Sequence, residues 1–445
     1  MLQTVTRGWI CQKLPDGKAC YPRYSSGCGW NALLPARLAR PPVSGRVDCD
    51  VVIIGAGYTG VAAARRFAAI EPDASIVLLD ASVAGEGNPG RNSGFLLEIS
   101  LANDADPAAL QRMRACNDLV AAAMQKIETL VSGNGIDCAL ERSGVYRAAA
   151  GAGGQAAIEN YRQFLEGAGL PYETLSRDEL EARIGTRFYR SGLFSPHCYL
   201  AQPAALIRGL VDCLPRSVLL HENTPAVSLA RRDGRMRVTT PAGSVSADRV
   251  VIANNAFAKA LGIGRSRVAA IYTYAALTEP LQARHLDDMG GVTSWGLLPA
   301  HRLGSTMRRT PDGRLLVRSC YDYERERDIA SVAQSLKDCL TRRFPALGDV
   351  AFAHTWGGAT GFTLNGGPLW GEIERGVFVS AGCNGGGVVK GTLFGELLAD
   401  LACGRDVPDV DALFGRAAWM PPEPLRRAGF AVTSALERRR GHAEI

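Results

Sequence analysis

The sequence predicts an α/β protein built from two interleaved modules, and three observations carry that prediction. A continuous apolar run at 51–54 meets a glycine turn and then a helix of small apolar residues; a second buried strand follows at 74–80; and residues 268–355 alternate in strand fashion around one helix near 328–343. The first two make one βαβ unit. The third fits an antiparallel sheet beside it.

In chain order, residues 1–47 are rich in Pro, Gly, Tyr and Trp without periodicity and read as an arm that wraps over the body. Helical spacing at 101–135 (Leu110, Met113, Leu119, Val120, Met124, Ile127 and Leu130) and again at 151–170 predicts helices over the sheet. Residues 201–213 form another, with Pro203 at its start. A hairpin around Pro-Ala-Gly at 241–243 leads into a buried strand at Val250 to Ala253, a return to the first module. Residues 376–404 close the body as strand, glycine loop and helix. The first module is therefore expected at 48–100, 201–260 and 356–405, the second at 101–200 and 261–355, and a basic tail at 406–445.

Composition narrows the function classes. The 445 residues amount to about two or three typical domains. With 47% hydrophobic and 21% charged residues the chain folds rather than stays disordered, and a net charge of +6 gives no reason to expect nucleic acid as a partner. The 12 cysteines include no CxxC pair and the histidines no metal-ligand spacing, so no metal is expected. No secretory leader or apolar span is visible, which reads as a cytoplasmic protein with reduced thiols. The tail carries five arginines against two glutamates in 421–440; a solvated helix capping the fold is favoured over docking on an anionic membrane or a partner.

The chemistry is written in glycine. Gly55-Ala56-Gly57-Tyr58-Thr59-Gly60 sits between a buried strand and a helix: Gly55 permits the turn, Gly57 admits a pyrophosphate, and Gly60 allows close helix packing. Asp80 ends the next strand, where a carboxylate accepts hydrogen bonds from an adenosine ribose. This predicts a dinucleotide but does not separate NAD from FAD. The glycine-rich loop at 84–95 that follows at once can lay backbone N–H groups against a planar ring, which favours FAD.

Taken in order, GAGYTG, VLLD, GRNSGF, DRVVIANNAF, TWGGATGFTLNGGPLWGEI and AGCNGGGVVKGTLFGELLADL resemble the FAD-dependent amine and amino-acid oxidoreductases of the D-amino-acid oxidase superfamily over roughly 48–405, most of all members like gamma-glutamylputrescine oxidoreductase and glycine or sarcosine oxidase. The resemblance implies a Rossmann-type FAD-binding domain interleaved with an α+β substrate domain. It also implies oxidation of a C–N bond to an imine by hydride transfer to flavin N5, followed by hydrolysis, with dioxygen or an electron carrier reoxidising the flavin. Gly55, Gly57 and Gly60 would hold the pyrophosphate, Asp80 the ribose, and Arg91, Asn92, Ser93 and Gly94 would border the flavin. Val227 matches the position whose backbone meets the adenine; Gly385, Gly387 and Val388 would lie at the flavin pyrimidine edge, where a helix amino terminus stabilises negative charge on reduction.

Three departures matter. Asn88-Pro89-Gly90 stands where many relatives read Ala-Ser-Gly, Val389 stands where sarcosine oxidases carry Lys, and no cysteine matches their covalent flavin attachment, so noncovalent FAD is expected. Lys390 either reaches the flavin or a substrate carboxylate, or is a solvated lysine at a helix start. Substrate-facing candidates are Tyr272 and Tyr274, which share a strand face, Arg318 as a carboxylate clamp, and His354 beside Trp356; each also has a purely structural reading. The expected partner is a small amine or amino acid. The rivals are a flavoprotein with a C–OH or tRNA-linked substrate, and a flavin-binding protein without turnover.

Overall fold

The computed structural model describes residues 9–10, 21, 23–99, 109–441 and 443–444. The apolar run before the glycine turn becomes the strand Gly45–Ile54. It pairs in parallel with Gly243–Ile252 on one side and Ile76–Leu79 on the other, with Val218–His221 beyond. Residues 51–54 and 76–79 are buried because both sheet faces are covered. One face packs the helices Tyr58–Ile70 and Val389–Ala402, and the other meets Leu261, Ile263 and Val268. The expected hairpin forms between Arg235–Thr240 and Gly243–Ile252, and the strand expected at Val250 is the end of the latter. Its last three residues also pair in parallel with Val377–Ala381, which brings the closing strand into the same nine-stranded sheet.

The second sheet has eight strands in the order Phe352–Phe362, Ala269–Thr278, Leu315–Tyr323, Thr306–Arg309, Trp295–Pro299, Val145–Ala149, Ser191–Ser195 and Glu173–Ser176. All its pairs are antiparallel except Trp295–Pro299 with Val145–Ala149. Alternation sorts its residues. Tyr274, Ala276, Leu315 and Val317 pack against the helix Ile329–Arg343, while Ala275, Leu277 and Leu316 turn toward the first module.

The module boundaries differ from expectation in two places, and both ends of the chain are tied into the body. The strand Phe352–Phe362 lies wholly in the second sheet, so a boundary at 356 falls inside it. The helix Leu110–Gly133 buries Val120, Met124 and Ile127 in the core of the first module, not the second. The arm does not merely wrap: Cys28 and Trp30 are buried with Ala204, Ala275, Leu316 and Trp356, wedged between the modules. There the Trp30 indole donates to the Asn92 carbonyl at 2.9 Å, and Arg37 pairs with the buried Glu222 at 2.6 Å. Finally, the tail helix Leu425–Arg440 is solvated on one side but lays Leu425, Arg426 and Phe430 along the mouth of the central cavity. No helix among the described residues is long and apolar enough to cross a membrane.

Candidate active site

Two helix amino termini face one space. The helix Tyr58–Ile70 starts at Gly57 and the helix Val389–Ala402 at Val388, and neither has a side-chain cap. Their first-turn N–H groups are therefore left for an anion. Glycine lets the two helices touch: a Cβ on Gly391 would stand 2.9 Å from Thr59 Oγ1, and one on Gly395 only 2.1 Å from the Thr59 carbonyl oxygen. The turn itself is equally tight. Gly55 has φ +107°, and a Cβ on Gly60 would stand 1.8 Å from the Gly55 carbonyl oxygen.

These termini open into a cavity of about 930 Å³ between the two sheets, at the upper end of ligand-site volumes. Gly55, Gly57 and Asp80 line one end; Asn88, Arg91, Asn92 and Ser93 one side; Gly385, Gly387, Val388 and Lys390 another. Asp80 accepts from the Ala56 N–H at 2.9 Å and from the Ser82 N–H at 2.9 Å, which leaves lone pairs on both carboxylate oxygens. Burial holds its carboxyl above the ordinary range, the hydrogen bonds from Ser82 and Ala56 oppose this, and Glu222 adds to it. An elongated dinucleotide fits this donor and acceptor set: amides for the pyrophosphate, a carboxylate for the ribose, and a helix terminus at the far end.

The loop at 84–95 is held from outside the cavity. Arg91 is 6% exposed and donates to the carbonyls of Glu86 (2.6 Å), Gly357 (2.8 Å) and Ser26 (2.8 Å), tying loop, second sheet and arm together. The Trp356 indole donates to the Arg91 carbonyl at 3.0 Å. Pro89 sits in the first turn of the short helix Asn88–Arg91, where its missing N–H costs nothing, and its carbonyl accepts from Tyr58 Oη at 3.1 Å. Gly94 has φ +81° and lies against Arg308, whose guanidinium burial pulls down to about 10.

The second sheet supplies the remaining wall. Arg318 lines the cavity, and its Nη1 donates to Tyr321 Oη at 3.2 Å; it makes no ion pair with a described residue. Such a guanidinium can take a carboxylate. Of the other expected residues, Tyr274 lines the cavity and the rest do not. Tyr272 shares with Tyr274 the packing on the helix Ile329–Arg343, burial pushes its hydroxyl up to about 12, and it lies outside the lining. His354 is also outside the lining, beside Gly29 of the arm. Gly60 and Gly94 act behind the wall, through packing. Val227 is a correction too: its N–H is taken by the Thr239 carbonyl at 2.8 Å, and Thr224 and Ala226 face the cavity instead.

Sequence reasoning missed several lining residues. Tyr21 lines the cavity from the arm, His301, Arg302 and Tyr321 from the second sheet and Phe430 from the tail, while Tyr24 stands behind the wall, hydrogen-bonded to Asn88 and 3.9 Å from the Arg91 guanidinium. Only the aromatic richness of the arm signalled any of them. Arg147, in the strand Val145–Ala149, also lines the cavity; its signal was a lone charge within an otherwise small and apolar strand. Among the described residues no group of three or more His, Cys, Asp and Glu is placed to hold a metal.

Comparison with known proteins agrees with this geometry. The family model described as FAD dependent oxidoreductase matches residues 50–401. A probable oxidoreductase OrdL of Rhizobium meliloti (strain 1021) is 29% identical over 395 residues, covering 86% of this chain and 89% of its own. Gamma-glutamylputrescine oxidoreductase of Escherichia coli (strain K12) is 25% identical, covering 80% and 84%. The crystal structure of glycine oxidase from Geobacillus kaustophilus superposes with a TM-score of 0.72 at 21% identity, over 84% of this chain and 99% of that one.

Proposed function

Because the chain belongs to the FAD dependent oxidoreductase family, we propose that it oxidises the C–N bond of a small amine or amino acid carrying a carboxylate, giving an imine that water hydrolyses to a carbonyl compound and ammonia or an amine. The observation that carries this reading is Arg318: a guanidinium without a carboxylate partner among the described residues, oriented by Tyr321, on the cavity wall shared with both glycine turns. The names of two relatives, gamma-glutamylputrescine oxidoreductase and glycine oxidase, support the substrate class.

The roles divide by place. Gly55, Gly57 and the amides of the first helix would hold the pyrophosphate, Asp80 the ribose, and the loop at Thr224 and Ala226 would border the adenine. Asn92, Ser93 and residues 385–388 border the ring system, where the amino terminus of Val389–Ala402 stabilises an added negative charge. When bound, FAD supplies a two-electron acceptor for the hydride released from the carbon beside nitrogen. Arg318 orients the substrate by its carboxylate, which converts the encounter into a fixed approach. No protein base is required if the amine enters neutral.

Anaerobic mixing of the FAD-loaded protein with a panel of amines and amino acids tests the reading. Bleaching of the oxidised-flavin band by a carboxylated amine, with the carbonyl product recovered after acid quench, is the expected result. Failure of every such compound, with bleaching by alcohols instead, would overturn it. Repeating the mixing in air and measuring hydrogen peroxide separates an oxidase from a dehydrogenase.

A further inference from the structure

The cavity contains a second cationic group that the reading above does not use. Arg147 is 5% exposed and lines the cavity, and its Nε and Nη2 have no hydrogen-bond partner. Its guanidinium lies over the Tyr161 ring at 4.6 Å, and no described carboxylate pairs with it. A buried charge left with unsatisfied donors is costly, and an anionic ligand removes that cost.

Its position relative to Arg318 follows from strand register. Arg318 pairs with Thr306; Leu297 pairs with Met307, which sets Leu298 beside Thr306; and Leu298 pairs with Arg147. Arg318, Thr306, Leu298 and Arg147 thus form one row across the sheet. Their neighbours in sequence, Val317, Met307, Leu297 and Tyr146, pack in the opposite face, and all four row residues line the cavity. Three strand spacings separate the two arginines, roughly 14 Å at about 4.8 Å each. Between them stand Thr306 and Leu298, and Leu97 and Ile99 add apolar surface to the same cavity.

We propose that Arg147 is a second anion-binding site, so that the substrate carries two acid groups: one near the oxidised C–N bond, held by Arg318, and one beyond an aliphatic spacer, held by Arg147. This rests on the reading of the cavity as the site of C–N oxidation. It specifies the substrate as a dianionic amine or amino acid and makes Arg147 its specificity-determining residue.

The test titrates the FAD-loaded protein with straight-chain α,ω-dicarboxylates from malonate to suberate and with the matching monocarboxylates, reading the shift of the flavin absorption band. The expected result is a dicarboxylate preference of about tenfold or more that peaks at one chain length, as two charge-assisted contacts require. Arg147→Gln removes the preference and leaves monocarboxylate binding unchanged, and Arg147→Lys keeps part of it. Equal affinity for both series in the unaltered protein, or a preference that survives Arg147→Gln, overturns the proposal. If Arg147→Gln does not fold, the chain-length series in the unaltered protein and in Arg147→Lys decides. The oxidation reading fails separately: a protein that shows the dicarboxylate preference but whose flavin no amine bleaches keeps its anion sites and loses its reaction.

Discussion

The Thr59 carbonyl oxygen lies 2.1 Å from where a Cβ on Gly395 would stand, so the opening and closing helices of the first module meet backbone to backbone. That contact brings residues more than three hundred positions apart in sequence to one ligand. Gly395→Val should force the helices apart, at about 1–3 kcal/mol or more as overpacking costs go. Thermal unfolding should show a lowered midpoint, and FAD titration a weakened affinity. An unchanged midpoint with full FAD binding would mean that the helices do not pack this way.

Arg318→Leu should weaken the binding of carboxylated substrates or monocarboxylate ligands by about 1.5–3 kcal/mol, the worth of a hydrogen bond to a charged group. FAD affinity should be unaffected, because the side chain contacts the substrate wall and not the glycine turns. Steady-state KM together with flavin content per chain checks both halves.

Asp80 carries a pH signature. Burial, with Glu222 nearby, raises its carboxyl in the folded protein, so the unfolded chain releases this proton at lower pH than the folded one. Between the two values the folded state binds more protons. The apoprotein therefore gains stability from this group as pH falls through the raised value, and loses it as pH rises. FAD binding, for which the ionised Asp80 carboxylate is the proposed ribose acceptor, should weaken as pH falls through the same window. Asp80→Asn should bind FAD about tenfold more weakly at neutral pH, lose that acid dependence, and unfold no earlier than the parent. Fluorescence titrations from neutral to acid pH on both proteins check this.

Arg91→Met should destabilise by about 3 kcal/mol or more, since it strips donors from buried carbonyls of three separate segments. Arg91→Lys should recover little, because one ammonium cannot replace a planar fork reaching in three directions. Denaturant unfolding measures both. The loss would show in stability before activity, as the guanidinium is spent on the protein itself.

Much of this was legible in the sequence, for a physical reason. A parallel sheet covered on both faces writes itself as continuous apolar runs, and a pyrophosphate turn demands glycine at fixed positions, so the first βαβ unit and the closing loop could be read from one chain. The misses have reasons too. Period two puts Tyr272 and Tyr274 on one face, but it does not reveal that Tyr274 alone of the two lines the cavity, beside a register shift between Thr273 and Tyr274 that breaks the regular pairing. At 224–227 the backbone leaves the strand pattern, so a one-residue error moved the expected cavity contact from Ala226 to Val227. Trp30, Phe430 and the mouth of the cavity depend on where the two ends of the chain dock, which no local pattern encodes. Arg147 left a trace, a charge in a buried strand, whose meaning needed the register of its neighbours.

A crystal structure of the protein with FAD and a nonreactive carboxylate would show whether both glycine turns and Arg318 serve one bound pair. The pyrophosphate should lie at the amides after Gly57, the ring system against residues 385–388, and the carboxylate on Arg318. A cofactor bound away from either glycine loop, or a carboxylate that ignores Arg318 while the flavin is in place, would contradict it.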